Sequence, residues 1–141
     1  MINLKNPKAT CGAIIMKDNK VLLTKRNISP YKGYWCIPGG HIGWGENVET
    51  AVKREVREEV GLNIKPRFFK YYDEIIPEIK WHAVTLTFVD RSRGPIKIDK
   101  SEVKEFKWFT EKEVQKLKIA FKNKKTLKDY FKIKNVEKIH S

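Results

Sequence analysis

Alternating apolar and polar positions predict that short β-strands make up much of this chain. The predicted strands cover residues 10–16, 21–26, 35–40, 67–76, 81–90 and 102–109. The first two flank the polar segment KDNK, which predicts a hairpin turn. We expect the third strand to end at Pro38 and the two glycines that follow it, because proline cannot donate to a strand ladder.

A change in the apolar period from two residues to about four predicts the first helix. Asn47 is a suitable N-cap at its start, and Gly61 is a suitable stop at its end. The apolar positions share one side of the helix, so that side can pack against a sheet. These positions are Val48, Ala51, Val52, Val56 and Val60.

Two further helices are predicted near the C-terminal end. Thr110 and Glu113 have the spacing of a capping box, and a second amphipathic helix covers about residues 122–131. Helices interleaved with strands favour an α/β domain with a mixed β-sheet between helices over a helix bundle or a β-sandwich. No repeat, linker or break in composition divides the sequence, so we predict a single domain over residues 1–141.

The composition is that of a globular protein, with 141 residues, 40% hydrophobic and 11% aromatic. The two cysteines, Cys11 and Cys36, have neither CxxC spacing nor a histidine cluster, so we predict buried, reduced thiols. No leader sequence is evident, and no apolar run approaches the roughly 20 residues of a membrane span. These features predict a cytoplasmic protein with no membrane partner.

The formal net charge of +13 predicts an anionic partner, such as a nucleotide, a nucleic acid or an acidic membrane. Lysines are dense over residues 116–138. We interpret this segment as docked helices with a solvated lysine face, so nucleic acid is not expected as a partner. Its apolar positions, expected to point inward, are Leu117, Ile119, Phe121, Leu127 and Phe131.

Three glutamates crowd the last turns of the first predicted helix. Glu55, Glu58 and Glu59 share one helix face, where like charges repel, and two of them lie at the end where the helix dipole disfavours anions. Folding alone does not require this arrangement. A charged, solvated face paired with Arg54 and Arg57 would explain it, and so would a bound hard cation such as Mg²⁺.

The residues around these three glutamates favour a bound cation over a solvated charged face. From Gly40 the sequence follows the pattern G-x5-E-x7-R-E-U-x-E-E-x-G-U, with Glu46, Arg54 and the three glutamates in place and Val56 and Leu62 at the aliphatic positions U. The segment resembles the signature of the Nudix hydrolase family at every fixed position. This resemblance implies the Nudix α/β/α sandwich.

The resemblance also implies a metal site. Glu55, Glu58 and Glu59 would hold Mg²⁺, with Mn²⁺ as a substitute, and the carbonyl group of Gly39 would complete the shell. Cleavage of a phosphoanhydride requires its charge to be neutralised before water attacks, and metal ions do this.

The remaining conserved positions of the family pattern imply supporting roles. Arg54 would orient the catalytic glutamate through a charge-assisted hydrogen bond. Glu46 would brace the loop and helix by pairing with that arginine or with a backbone amide. Gly40 and Gly61 would serve the shape of the backbone. Together with the glutamates, Arg54 therefore belongs to the predicted catalytic set.

The family hydrolyses nucleoside diphosphates linked to another moiety. Pro77 lies fifteen residues after Leu62, a spacing typical of ADP-ribose pyrophosphatases, so ADP-ribose or a related nucleotide is the favoured substrate. The alternatives are a MutT-like nucleoside triphosphate pyrophosphatase and a non-catalytic module that binds nucleotides or RNA. The intact glutamates argue against the last of these. ADP-ribose-type relatives are often dimers, so the analogy allows a homodimer.

Several residues outside the pattern are candidates for contacts with the substrate. Arg26 could bind it, Trp44 lies in the loop near the metal site, and Glu105 or Glu102 could join the metal shell or act as a general base. The aromatic residues could stack on a base, although each could equally pack in the core. These aromatic residues are Tyr31, Tyr34, Trp35, Tyr72 and Trp81.

Overall fold

The computed structural model describes the backbone of residues 5–140 and the side chains of residues 5–135. Seven strands, three α-helices and a 3₁₀ turn alternate along it. The strands are β1 (Lys8–Lys17), β2 (Lys20–Arg26), β3 (Trp35–Cys36), β4 (Gly39–His41), β5 (Arg67–Ile76), β6 (Trp81–Arg91) and β7 (Val103–Phe109). The helices are α1 (Val48–Val60), α2 (Glu111–Val114) and α3 (Asn123–His140), and the 3₁₀ turn is Pro77–Ile79.

The strands form one mixed sheet in which β1 is central. It runs parallel to β6, with Lys8 opposite Ala83, and antiparallel to β4 and to the start of β2. Strand β5 pairs with the other side of β6, while β3 and β7 both pair with β2. The parallel β1–β6 pair brings together segments that are far apart in the sequence.

The two faces of the sheet carry two hydrophobic clusters, because successive strand residues point to opposite faces. One cluster packs the apolar stripe of α1 against Cys11, Ala13 and Ile15 of β1. The other places Ile14, from the same strand, among residues of α3 such as Leu127. Burial of each aliphatic side chain stabilises the folded protein by roughly 1.5–3 kcal/mol. The predicted α/β/α sandwich with a mixed sheet is therefore confirmed.

The prediction of one strand over residues 35–40 is wrong. Two short strands replace it and pair with different neighbours, β3 with β2 and β4 with β1. Pro38 lies between them and has no N–H group for a ladder, but its carbonyl accepts from the Ala13 amide at 2.9 Å. The glycines do not end a strand. They form β4, where a Cβ atom on Gly39 would collide with the Cys11 carbonyl.

The C-terminal helices differ from their predicted lengths. The capping box of Thr110 and Glu113 is present, but α2 has only four residues. Helix α3 begins at Asn123 and extends to His140, beyond the predicted end. Cys11 and Cys36 are buried free thiols, as predicted. Of the helices that the structure describes, none is long and apolar enough to cross a membrane.

Candidate active site

A cavity of about 240 Å³ opens where α1, β1 and the β3–β4 connection meet the start of α3. Four carboxylates line it, those of Glu55, Glu59, Glu74 and Glu102. Arg26 is a cationic residue on its wall. A cavity lined by four carboxylates favours the binding of a cation, or of an anionic ligand that binds together with a cation.

Helix α1 delivers two of these carboxylates because residues four apart lie on one face. Its start is fixed by Asn47, whose side chain accepts from the Thr50 amide at 2.9 Å. Its end is fixed by Gly61 in the left-handed conformation, with φ of 75°. Both caps were predicted, and by fixing the two ends of α1 they fix the positions of Glu55 and Glu59 relative to the sheet.

Glu59 is the more deeply buried of the pair, with 7% of its surface exposed. Its Oε1 atom accepts from the Gly39 amide at 2.8 Å. Burial raises the pKa of this carboxyl group to about 8, and the negative charges of Glu55 and Glu102 act in the same direction. Within the described residues, Glu59 forms no ion pair. A bound cation would offset the mutual repulsion of the negative charges of Glu59, Glu55 and Glu102.

Glu55 lies against the backbone of Gly40. A Cβ atom at position 40 would lie 2.5 Å from the carboxyl carbon of Glu55, so a glycine is required for this approach. Nη1 of Arg54 donates to Oε1 of Glu55 at 2.9 Å. Burial nevertheless raises the pKa of Glu55, although the arginine lowers it. The carboxylate is thus positioned by a glycine on one side and an arginine on the other.

Arg54 is clamped mainly by Glu46. Its Nη2 and Nε atoms donate to the two carboxylate oxygens at 2.6 and 3.1 Å, and Nη2 also reaches the His41 carbonyl at 3.1 Å. Glu46 additionally accepts from the Gly43 amide at 2.7 Å. The hydrogen bonds from Arg54 hold the pKa of Glu46 at about 2. Glu46 therefore pairs with both the arginine and a backbone amide.

Glu58 differs from the other two glutamates of the pattern. Its side chain is 57% exposed, it does not line the cavity, and it meets Arg54 at 3.3 Å. Among the described residues, no three Asp, Glu, His or Cys side chains are already gathered as a metal site. The donor chemistry still fits a hard divalent cation, because Glu55, Glu59 and Glu102 present oxygen atoms to one cavity.

Glu102 reaches the cavity through the segment between β6 and β7. The Lys97 amide donates to the Val60 carbonyl at 2.9 Å, and the Asp99 amide donates to the Glu59 carbonyl at 3.1 Å. The segment is thereby docked on the last turn of α1. The Asn27 amide donates to the Glu102 carbonyl at 2.9 Å.

Aromatic side chains form another part of the wall. The rings of Trp81 and Phe121 lie 4.9 Å apart, and His41 meets Trp81 edge-on at 6.0 Å. The guanidinium of Arg26 lies 5.0 Å from the Phe121 ring, while its Nε atom donates to the Pro30 carbonyl at 2.7 Å. This wall combines apolar aromatic rings with a cation, which suits a base or a sugar phosphate.

Two buried polar residues in the cavity were missed by the sequence analysis. Glu74 accepts from Nε1 of Trp81 and from the Lys122 amide, both at 3.2 Å. Asn123 accepts from the Ile37 amide at 2.9 Å. Glu74 could have been found, because it is an acid at an inward position of an alternating strand. Asn123 gave no such signal at the start of its helix.

Other predicted substrate contacts lie elsewhere. Trp35 packs in the core, edge-on to Phe109 at 4.9 Å. Trp44 is fully exposed on the loop before α1, and Pro77 begins the exposed 3₁₀ turn. Glu105 is exposed on β7 and does not line the cavity. Of the two acids proposed outside the pattern, the structure therefore brings Glu102 to the site.

A family model described as NUDIX domain matches residues 5–130. An ADP-ribose pyrophosphatase from Methanocaldococcus jannaschii is 37% identical over 132 residues, covering 92% of this chain and 76% of that protein. An 8-oxo-dGTP diphosphatase from Buchnera aphidicola is 38% identical over 76 residues, covering 52% of this chain and 58% of that protein.

A solved structure shows the same similarity in three dimensions. The crystal structure of a MutT NUDIX hydrolase from Burkholderia pseudomallei aligns with a TM-score of 0.79 at 28% identity, covering 88% of this chain and 98% of that one. The clamp of Glu46 and Arg54, the two inward glutamates and the glycines beside them occupy the matched region. The chain belongs to the Nudix hydrolase family.

Proposed function

We propose that this protein is a Mg²⁺-dependent hydrolase that cleaves the phosphoanhydride of a nucleoside diphosphate linked to another moiety, with ADP-ribose as the favoured substrate. The observation that carries the proposal is the placement of Glu55 and Glu59 in one cavity, where burial raises the pKa values of both and Glu59 has no ion pair among the described residues. The 37% identity to an ADP-ribose pyrophosphatase over 92% of the chain supports the substrate.

Glu55 and Glu59 would hold the divalent cation together with the carbonyl of Gly39, and Glu58 would have to leave Arg54 and turn toward the cavity to join them. A bound Mg²⁺ ion would neutralise charge on the diphosphate and make water a better nucleophile. Arg54 holds Glu55 in place through its 2.9 Å hydrogen bond. Glu46 in turn fixes the arginine, so the clamp orients the carboxylate without touching the substrate.

Glu102 is the best-placed residue to accept the proton of the attacking water. It lines the cavity close enough to the glutamates of α1 to raise the pKa values of both. General base catalysis needs a carboxylate within hydrogen-bond reach of the water, directly or through another water. Glu105 lies outside the cavity and is not proposed for this role.

Arg26 and the aromatic wall would bind the nucleoside end of the substrate. Trp81 and Phe121 offer apolar rings for a base, and stacking contributes roughly 1–3 kcal/mol per base. Arg26 would attract a phosphate or a ribose hydroxyl group from the same wall. Pro77 makes no contact with the cavity, so the choice of ADP-ribose no longer rests on that residue.

A MutT-like nucleoside triphosphate pyrophosphatase is the second candidate. The similarity to an 8-oxo-dGTP diphosphatase and to a MutT structure supports it. The two functions differ in their products: ADP-ribose would give AMP and ribose phosphate, whereas a triphosphate would give a monophosphate and pyrophosphate.

The test is product analysis with ADP-ribose, 8-oxo-dGTP and normal triphosphates, with Mg²⁺ and with chelator. We expect Mg²⁺-dependent release of AMP from ADP-ribose. Higher kcat/KM for triphosphates with pyrophosphate release would transfer the assignment to the MutT-like function. Turnover that survives complete chelation would contradict the metal requirement.

The variants Glu58→Gln and Glu59→Gln test the metal ligands. Each keeps the side-chain volume and removes one carboxylate charge, so we expect kcat to fall by about 100-fold or more while the circular dichroism spectrum is retained. Glu105→Gln serves as the matched control and should keep kcat near the wild-type value. Wild-type turnover in Glu59→Gln would reject the metal assignment.

A further inference from the structure

Glu74 is a buried acid of the cavity that has no role in the proposed hydrolysis. It lies on β5, it lines the cavity, and only 3% of its surface is exposed. Burial of a carboxylate is costly unless hydrogen bonds replace the water that it loses. The hydrogen-bond partners of Glu74 therefore indicate its role.

The two oxygen atoms of Glu74 hold the two residues of the aromatic wall. Oε1 accepts from Nε1 of Trp81 at 3.2 Å, so it restrains the orientation of the indole ring. Oε2 accepts at 3.2 Å from the amide of Lys122, the residue that follows Phe121. Phe121 has a φ of 54°, which a bulky residue rarely adopts, and this bond helps to hold it there. One carboxylate thus links two rings whose centroids lie 4.9 Å apart.

The chemistry of these two hydrogen bonds requires an acid at position 74. Both partners are N–H donors, and an ionised carboxylate accepts at both of its oxygen atoms. In Glu74→Gln the side-chain oxygen would accept from one donor, but the NH₂ group would face the other donor. The amide therefore cannot hold both rings as the carboxylate does.

We infer that Glu74 is the positioning residue for the nucleobase: it holds Trp81 and Phe121 in the arrangement that receives the base, and it acts through them. The inference rests on the proposed function, which places the nucleoside end of the substrate on this wall. A base stacks when its plane lies along that of an aromatic ring, so a ring that rotates loses the contact. Glu74 prevents this rotation and thereby affects substrate affinity more than the chemical step.

The sign of the effect separates this role from a purely electrostatic one. Glu74→Gln removes a negative charge from a cavity lined by four carboxylates, so charge alone would strengthen the binding of a phosphate. Loss of ring positioning would instead weaken the binding of a ligand that carries a base. AMP and ribose 5-phosphate differ by the adenine, and neither contains a phosphoanhydride, so both can be titrated in the presence of Mg²⁺.

The test measures the affinities of AMP and ribose 5-phosphate by isothermal titration calorimetry. We expect Glu74→Gln to bind AMP about 10-fold more weakly than the wild type, with ribose 5-phosphate bound equally well or better. In turnover, this variant should raise KM for ADP-ribose about 10-fold and change kcat by less than about 3-fold. Glu78→Gln is the matched control, because it removes an acid from the exposed 3₁₀ turn after β5, and it should keep both affinities.

Trp81→Phe tests whether Glu74 acts through the indole. This variant keeps a ring but removes the N–H group from which Glu74 accepts. Adding Glu74→Gln to it should weaken AMP binding by no more than about 3-fold, because the two residues are coupled. An undiminished effect of Glu74→Gln in this background would mean that Glu74 contacts the base directly, and it would overturn the inference.

Two other outcomes would also overturn it: unchanged or tighter AMP binding by a folded Glu74→Gln, and no preference of the wild type for AMP over ribose 5-phosphate. Circular dichroism and Tm would show whether the variant folds. If it does not, Trp81→Phe alone must weaken the binding of AMP and not that of ribose 5-phosphate, or the inference fails. Loss of AMP affinity in Glu74→Gln, in a protein that does not hydrolyse ADP-ribose, would support the inference and reject the proposed function.

Discussion

At the scale of single residues, the site depends on where side chains are missing as well as on where they are charged. Gly40 lets the carboxyl group of Glu55 lie against the backbone, and Gly39 offers its amide to Glu59. The family pattern identified Gly40, Glu55 and Glu59, and the resemblance implied a role for the carbonyl group of Gly39 but not for its amide. It could not show that Glu55 and Glu59 point into the cavity while Glu58 is exposed, because that depends on how α1 sits on the sheet.

Substitution of Gly40 by alanine tests whether the close approach of the Glu55 carboxyl group to the backbone of residue 40 matters for catalysis. The new methyl group would lie 2.5 Å from the carboxyl carbon of Glu55, so the carboxylate must move. We expect kcat/KM to fall by roughly 10-fold to 100-fold with the fold retained, because small displacements of catalytic groups have effects of this size. The measurement is steady-state hydrolysis of the substrate found above.

Gly43→Ala is the control for this variant. Its added methyl group would meet the Glu46 side chain at 3.1 Å, a milder contact in the same loop. A smaller loss than in Gly40→Ala is expected. Wild-type kcat/KM in Gly40→Ala would mean that the contact with Glu55 has no catalytic importance.

At the scale of elements, local patterns predicted most strands and the limits of α1. Hydrophobic period and capping residues are short-range properties, so Asn47 and Gly61 were correctly placed. The segment from Trp35 to His41 was not, because its division into β3 and β4 comes from pairing with two different strands. Partner choice is a tertiary property that no window of six residues contains.

The N-cap of α1 gives a prediction at this scale. Asn47→Ala removes the acceptor of the Thr50 amide, so we expect a loss of about 1 kcal/mol in the free energy of unfolding and a fall in Tm of about 3 °C. Thermal unfolding by circular dichroism would measure it. Asn47→Ser keeps an acceptor and should retain most of the stability; equal loss in both variants would show that the cap bond contributes nothing.

At the scale of the whole molecule, the order of elements was predictable but their arrangement in the sheet was not. Residues of β1 pair with residues of β6 more than seventy positions away, as Thr10 does with Thr85. Apolar alternation is the same for a parallel and an antiparallel neighbour. The alternation of β5 marks Glu74 as an inward acid, but that Glu74 and Asn123 lie in the same cavity follows from this topology and not from spacing along the chain.

The stability of the whole molecule should depend on the protonation of Glu59. Its pKa is about 8 in the folded protein against an ordinary value of 4.5. Between these pH values, the folded protein holds a proton that the unfolded chain has released, so rising pH favours unfolding. We expect the Tm of the metal-free protein to fall between about pH 5 and about pH 8.

Glu59→Gln provides the comparison, because its amide does not titrate. The difference in Tm between wild type and variant isolates this carboxyl group from His41, whose pKa is lowered by burial and which changes stability with the opposite sign. The variant should lose less stability than the wild type as pH rises. An identical pH profile in the two proteins would contradict the raised pKa of Glu59.

The docking of the segment after β6 on the last turn of α1 has a consequence for evolution. The hydrogen bonds from Lys97 and Asp99 to that helix join main-chain atoms, so most substitutions along the segment leave them intact. Relatives can therefore drift in sequence here while an acid such as Glu102 keeps its distance from Glu59. A carboxylate positioned by main-chain bonds in this way would escape any search based on a fixed string of letters, and it would be found by comparing backbones.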